Sequence, residues 1–390
     1  MKICAIIAEY NPFHNGHLKQ IEYVKNTLNA EKIIVIMSGD FTQRGEPAIM
    51  NKYTRAKHAV IAGADAVIEL PTVFATANAE IFAKGAINVI NGISVCDGLC
   101  FGVESGEKEE YLELAKALNN ETSEYKKAVK SQLETGVSLA KAKHTALKSV
   151  YGDALNCDLL SSPNNILGLE YVKACLKTNA SLEFFPMIRE GKHNDKTLRK
   201  GITSATSIRE KIKLNQKRAV KKSLPRFVFR DLKNFPFAYE KMALSKIITT
   251  SSEEMSKISD CTEGLENRIK ALVKDNHSLE TLIEKVSTKR YPKTRISRII
   301  LANLLGVKEK FVKDCLETPL YASVLAVNNE SKDLLKELSQ KSKIPLITRK
   351  SDFTALKKTA LESFELDETA LDIYNLITNE KRSYGRINFI

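Results

Sequence analysis

The chain has 390 residues, 43% of them apolar and 27% charged, a globular composition that can bury a sizeable core. Its 60 Lys and Arg against 47 Asp and Glu leave a net charge of +13, which favours a polyanionic partner or substrate. No apolar run reaches the ~18 residues of a membrane span, so membrane-spanning helices are excluded, and the opening MKICAIIAEYNPFHNGH reads as a first strand, not a signal peptide.

Residues 3–9 form a β-like run. Residues 17–29 place Leu18, Ile21, Val24 and Leu28 at helical spacing. Residues 33–38 are again apolar and β-branched. Asn51 is placed to cap a helix that ends at Gly63. Residues 64–70 give a third strand stopped by Pro71, a helix follows near 76–91, and residues 98–103 give a fourth strand. Continuous apolar strands separated by helices predict an α/β fold, a Rossmann-like doubly wound parallel sheet covered on both faces. Such sheets bind ligands beyond the carboxyl ends of their strands.

Residues 107–178 read as mostly helical, and residues 182–188 as one more strand, whose Pro186 suits a sheet edge. From 191 the composition changes: residues 191–230 hold 13 Lys and Arg but 2 Asp and Glu. Residues 237–316 read as helices. The tail from about 319 alternates again, with strands at 320–327 and 345–348 and helices near 330–341 and 354–378. The division expected is a nucleotide-binding domain over 1–215 and a mainly helical, basic region over 216–390 that ends in a small α/β tail. The seven cysteines are odd in number and point to reduced thiols in a cytoplasm. Cys96 and Cys100 lack a partner pair for zinc and read as small apolar residues flanking a strand, so no metal ligand set is assigned.

The strongest chemical signal lies between strand one and helix one, in Glu9-Tyr10-Asn11-Pro12-Phe13-His14-Asn15-Gly16-His17. In a doubly wound sheet this turn faces the ligand crevice. Gly16 would let backbone approach a phosphate, and the helix N-terminus offers free N–H groups and partial positive charge. His14 and His17 could both meet one phosphate and stabilise charge that builds up as pyrophosphate leaves. A second signal runs through Thr203, Ser204, Ala205, Thr206, Ser207, Ile208 and Arg209, at a loop-to-helix junction where Ser207 and Glu210 fit a capping box.

Together these motifs resemble the HIGH-type nucleotidyltransferase superfamily, with Thr203 and Ala205 departing from its second motif. A closer resemblance covers almost the whole chain. AEYNPFHNGHL (8–18), MSGDFTQRGEPA (37–48), DAVIELP (65–71), CFGVESG (100–106), SPNNILGLEY (162–171), SATSIR (204–209) and RYPKTRISRIILANLLG (290–306) are similar to the bacterial tRNA(Met) cytidine acetate ligase family. That resemblance implies ATP-dependent activation of acetate to acetyl-adenylate. The acetyl group then passes to N4 of the wobble cytidine of elongator methionine tRNA.

The resemblance also implies residue roles. Ile7, Ala8, Glu9, Tyr10, Asn11, Pro12, Phe13, His14, Asn15, Gly16, His17, Leu18, Lys19 and Gln20 would form the ATP loop. Gly102 would let adenine or ribose lie against backbone, or simply make a tight turn. Asn164 and Asn165 would bond nucleotide or cap a helix. Arg189 would reach phosphate or ribose, and Ser204, Thr206, Ser207 and Arg209 the outer phosphates. Asp40 is expected near acetate or metal, and Arg44 near the acyl-adenylate or tRNA. Mg²⁺ is expected with the triphosphate.

The basic segments suit RNA. Lys200, Lys221, Lys222, Arg290, Lys293, Arg295 and Arg298 offer phosphate contacts, and Phe227, Phe229 and Tyr291 offer rings on which an unstacked base could lie. Two rival readings stand beside this one: a small-molecule adenylyltransferase of cofactor biosynthesis, and a non-catalytic RNA-binding module. No protein partner is implied.

Overall fold

The computed structural model describes residues 1–178, 180–189, 204–232, 238–381 and 387–390. Eight strands build a single sheet: β1 (Ile3–Ala8), β2 (Lys32–Ser38), β3 (Ala66–Leu70), β4 (Gly98–Val103), β5 (Glu183–Ile188), β6 (Ala322–Val327), β7 (Leu346–Ile347) and β8 (Asn388–Phe389). Their order is β5-β4-β1-β2-β3-β6-β7, with β8 paired to β6. Strands β1 to β5 run parallel, as the continuous apolar runs predict. The chain steps outward from β1 to β3 and then returns to the other side of β1 to lay down β4. That reversal opens a crevice at the carboxyl ends of β1 and β4.

Helices fill the connections: α1 (Asn15–Asn26), α2 (Lys52–Ile61), α3 (Thr72–Ala75), α4 (Ala79–Ile93), α5 (Lys108–Asn119), α6 (Ser123–Glu134), α7 (Leu139–Tyr151) and α8 (Pro163–Thr178). The two-residue period of each strand sends side chains to opposite faces. Ile3, Ala5, Ile7, Ile34 and Ile36 join a core beneath α4, α5 and α8. Cys4, Ile6, Ile33, Val35 and Met37 join another with Ile21 and Val24 of α1 and Ala56, Ala59 and Val60 of α2. Asn51 caps α2, its side chain accepting from Thr54 N at 2.8 Å, a contact that contributes about 1 kcal/mol.

Beyond β5 come α9 (Ala205–Lys213), α10 (Arg226–Asp231), α11 (Ala238–Thr249), α12 (Ser252–Ser256), α13 (Leu265–Val273), α14 (Leu279–Val286), α15 (Lys293–Leu305), α16 (Glu309–Glu317), α17 (Lys332–Lys341) and α18 (Thr359–Thr378). The cap of α9 differs from the sequence expectation. Ser204, not Ser207, is the N-cap, and its hydroxyl accepts from Ser207 N at 3.2 Å.

The tail from about 319 also departs from expectation. It does not stand apart with the helical region: β6 lies antiparallel on β3, so the sheet is mixed and its last strands come from the C-terminal residues. Helix α18 secures that return. Asp367 accepts from Thr72 N at 2.7 Å, Tyr374 donates to the Ala48 carbonyl at 2.9 Å, and Asn51 donates to Glu380 at 2.7 Å. Among the described residues no helix is long and apolar enough to cross a membrane.

Candidate active site

The turn between β1 and α1 is held by its own histidines. His14 is the N-cap of α1, and its Nδ1 accepts from Gly16 N at 3.0 Å. His17 Nδ1 accepts from His14 N at 3.2 Å. The two rings stack with centroids 3.7 Å apart and planes 16° from parallel. A neutral imidazole whose Nδ1 accepts must carry its proton on Nε2. Both rings therefore present Nε2–H donors, and His14 Nε2 is buried with no partner among the described residues. Burial, then the charges of Arg189 and Arg209, push His14 down to about 3. Burial, His14 and Arg189 hold His17 well below its ordinary range. Gly16 acts differently from expectation: a Cβ there would lie 2.9 Å from His14 Cε1, so its bareness admits the imidazole before any phosphate.

Aromatic rings back this pair. Tyr10 and Phe13 meet edge to face at 4.8 Å, and Tyr10 meets His17 at 4.8 Å. Ile7 and Ala8 end β1 beneath the turn, and Pro12 is buried within it. Leu18 packs partly buried on the core behind α1, Lys19 is exposed, and Gln20 donates to the Cys100 carbonyl at 3.4 Å. Asn11 accepts from Ile49 N at 2.9 Å through Oδ1, while its Nδ2 is buried without a partner among the described residues.

A second wall stands at the end of β4. A Cβ on Gly102 would come within 3.0 Å of Arg189 Cδ, so the glycine makes room for that side chain. Arg189 Nη1 donates to Asn164 Oδ1 at 3.2 Å, and Asn164 Nδ2 to Glu104 at 2.8 Å. Asn165 accepts from Glu104 N at 2.7 Å and donates to Ser105 Oγ at 2.9 Å, which fixes the loop after β4. Gly102, Asn164, Asn165 and Arg189 thus converge.

The third wall is the N-terminus of α9. Arg209 donates to the Asn11 carbonyl at 2.8 Å and to Thr206 Oγ1 at 3.4 Å, and its Nε lies 2.9 Å from Glu46. Ser204 and Ser207 hydroxyls are 3.2 Å apart. Arg44 stands in the same field: burial and Arg209 lower its pKa, while Glu9 and Glu46 oppose them. Arg44 in turn acts on Arg189. Three guanidiniums and two neutral imidazoles therefore share the crevice. Arg44 is thus electrostatically coupled to both Arg209 and Arg189.

Asp40 lies elsewhere. It is 2% exposed, and Oδ1 accepts from Lys52 N at 2.7 Å. Burial raises its pKa, with Lys52 and Arg55 opposing. Oδ1 thus serves the start of α2, while Oδ2 is buried without a hydrogen-bond partner among the described residues. Among the described residues no group of three or more His, Cys, Asp or Glu could hold a metal ion.

The cations at and just before the start of α15 are neutralised in place. Arg290 pairs with Glu263, Lys293 with Glu284 at 2.6 Å, and Arg298 with Asp260 at 3.1 Å. Arg295 reaches Asp260 at 3.2 Å. Two of the three proposed stacking rings are also engaged. Phe227 packs near Phe13 and His58, and Arg290 and Arg295 lie over Tyr291. Phe229 is partly buried against the same core as Phe227. Lys221 and Lys222 are exposed, and Asn15 donates to the Lys222 carbonyl at 3.0 Å, so this basic turn touches the crevice. Lys200 and Thr203 lie outside the described residues.

Two groups had no local signal. Arg55, fully buried, donates to the carbonyls of Glu9 at 2.6 Å, Met50 at 2.9 Å and Ser38 at 3.0 Å, and also to Gly39. It ties the ends of β1 and β2 beneath the turn. Beside it Lys52 donates to both oxygens of Glu69 at 2.8 Å. Burial alone would lower Lys52, but Glu69, Tyr53, Asp40 and Asp367 together outweigh it and raise the ammonium.

Nearly the whole chain is similar to known proteins. A family model described as HIGH Nucleotidyl Transferase matches residues 1–386. A tRNA(Met) cytidine acetate ligase of Acetivibrio thermocellus is 37% identical over 393 residues, covering 96% of this chain and 94% of the relative. One from Clostridium novyi is 36% identical, covering 98% and 97%. The crystal structure of Thermotoga maritima TmcAL in its apo form I superposes with a TM-score of 0.94 at 29% identity, across 100% of both chains. The same protein bound with alpha-thio ATP gives 0.91 at 28% identity, again across 100% of both. The chain therefore belongs to the tRNA(Met) cytidine acetate ligase family of HIGH nucleotidyl transferases.

Proposed function

We propose that the protein activates acetate with ATP, forming acetyl-adenylate and pyrophosphate, and passes the acetyl group to N4 of the wobble cytidine of elongator methionine tRNA. One observation carries this reading: two stacked neutral imidazoles with Nε2–H donors sit among Arg44, Arg189 and Arg209 at the carboxyl ends of β1 and β4. Their chemistry suits a triphosphate. An acetate oxygen attacks the α-phosphorus, the bond to the bridging oxygen breaks, and pyrophosphate leaves with that electron pair. His14 and His17 donate to the α-phosphate oxygens as charge grows there, a stabilisation that needs no proton transfer. Arg209 and the positive end of α9 meet the outer phosphates.

Mg²⁺ would arrive as part of the nucleotide substrate, since the described residues form no metal cage. In the second step the cytidine amine attacks the acetyl carbonyl carbon, AMP leaves with the bonding pair, and the amine loses a proton. The amine is a weak nucleophile, so positioning dominates. Exposed Lys221 and Lys222, joined to the crevice through Asn15, support RNA approaching from that side, in the cytoplasm where tRNA resides. The identity of the tRNA rests on the relatives' names.

Incubation with ATP, labelled acetate and tRNA, followed by nucleoside analysis, tests the reading. Label is expected in N4-acetylcytidine. Acetate-independent ATP–pyrophosphate exchange with unlabelled RNA would overturn it.

A further inference from the structure

The segment carrying Arg44 is a tight hairpin. Phe41 and Pro47 bridge its base, Thr42 N donates to the Glu46 carbonyl at 3.1 Å, and Gly45 N donates to the Thr42 carbonyl at 3.0 Å. It is also clamped from behind. Tyr239 donates to the Gly45 carbonyl at 3.2 Å, and a Cβ on Gly45 would lie 2.3 Å from the Ser297 carbonyl carbon of α15. The hairpin backbone has no room to recoil. Its one acidic side chain near the crevice, Glu46, sets an oxygen 2.9 Å from Arg209 Nε.

The two partners are unequal. The Arg209 side chain is 8% exposed and fixed at two further points, the Asn11 carbonyl and Thr206. The Glu46 side chain is 34% exposed. Its Oε1 accepts no aligned hydrogen bond among the described residues, so the contact is an ion pair off hydrogen-bond geometry. A guanidinium this enclosed needs an anion beside it. Glu46 supplies one, yet holds it by a bond that a well-placed phosphate oxygen would improve on.

We propose that Glu46 is a resident counter-ion for Arg209, which yields to the outer phosphates of ATP and reclaims the guanidinium as pyrophosphate departs. The inference rests on the nucleotide reading above and adds a positioning residue to it. The returning carboxylate speeds pyrophosphate loss and disfavours its rebinding, which would otherwise regenerate ATP from the acyl-adenylate. AMP, whose single phosphate meets the imidazoles, does not compete with Glu46.

Calorimetric titration of wild type and Glu46→Gln with ATP, inorganic pyrophosphate and AMP tests this. Glu46→Gln is expected to bind pyrophosphate about tenfold tighter, equivalent to about 1.4 kcal/mol, with AMP affinity within about twofold of wild type. Acetyl transfer by the variant is expected to be inhibited at correspondingly lower pyrophosphate and relieved by a pyrophosphatase. Unchanged or weaker pyrophosphate binding, or equal tightening of AMP, overturns the inference. If Glu46→Gln does not fold, Glu46→Asp draws the charge back and is expected to shift pyrophosphate in the same direction by a smaller factor; no shift overturns it. Wild type that fails to bind ATP removes the nucleotide reading instead, so the two failures are separable.

Discussion

His14 N donates to the Nδ1 of His17, while the Nδ1 of His14 accepts from Gly16 N, so one short turn fixes both rings as Nε2–H donors. Both donors are preorganised, His14 buried and His17 half-buried, a condition that strengthens a hydrogen bond to a developing oxyanion. His14→Ala and His17→Ala are each expected to lower kcat for acetate-dependent ATP–pyrophosphate exchange by about 10²–10³-fold, with a small change in KM for ATP. Steady-state exchange kinetics check this; a variant that retains most of its kcat contradicts the role.

The same burial sets a pH dependence. The folded His14 pKa of about 3 lies below its ordinary 6.5, and His17 is shifted in the same direction. The unfolded chain therefore binds more protons once pH falls below about 6.5. Their stabilising contribution is complete above that value and declines toward pH 3, by up to about 1.4 kcal/mol per pH unit for each ring. Urea unfolding between pH 4 and 8 is expected to show this decline, and His14→Asn to flatten it. The exchange rate is also expected to show no step near pH 6.5, since both donors are already neutral there.

Lys52 and Glu69 are each 3% exposed, and removing one partner strands a buried charge. Lys52→Met is expected to cost about 3–5 kcal/mol, whereas Lys52→Met with Glu69→Leu recovers much of that. Thermal melts of the single and double variants decide it. A single variant as stable as wild type would show the pair to be dispensable.

Gly45 has φ +77 and a crowded Cβ direction against α15, while Gly136 has φ +79 and nothing within 4 Å. Gly136→Ala is expected to cost only the left-handed backbone strain, about 1–2 kcal/mol. Gly45→Ala adds displacement of the hairpin and is expected to cost more and to weaken ATP binding. Equal melting temperatures for the two variants would remove the clamp.

The two basic groups are expected to part company in RNA binding. Lys221 and Lys222 are exposed beside Asn15, while Arg290 and Lys293 are paired with Glu263 and Glu284. Lys221→Ala with Lys222→Ala is expected to raise KM for tRNA and to lower the salt slope of binding by about 1–2, leaving acetate-dependent exchange intact. Arg290→Ala with Lys293→Ala is expected to change both less. Filter binding across a salt series distinguishes them.

What the sequence made legible was local. Apolar runs located β1 to β5, Pro186 marked an edge strand, Asn51 marked the start of α2, and the histidine spacing marked the turn after β1. Long-range pairings were hidden. Nothing in residues 322–327 announces that they pair with β3, since an antiparallel partner hundreds of residues away leaves no spacing to read. Asp260, Glu263 and Glu284 neutralise the α15 cations from other elements, so a row that looks free in sequence is paired in space. The electrostatic coupling of Arg44 to Arg209 likewise has no counterpart in sequence spacing, since 165 residues separate the two. The spacing to Glu210 points to Ser207 as the cap in sequence, whereas the extended backbone at Ser204 makes Ser204 the cap in the fold.

The antiparallel union of β6 with β3 has a consequence for biosynthesis. A ribosome delivers β3 long before β6, so for most of translation the nascent sheet carries an open, unsatisfied margin of the kind that invites mispairing. Only when Asp367, Tyr374 and Glu380 emerge do the props of α3 and of residues 48–51 arrive. The margin at β3 thus stays uncovered until the residues that close it have been made.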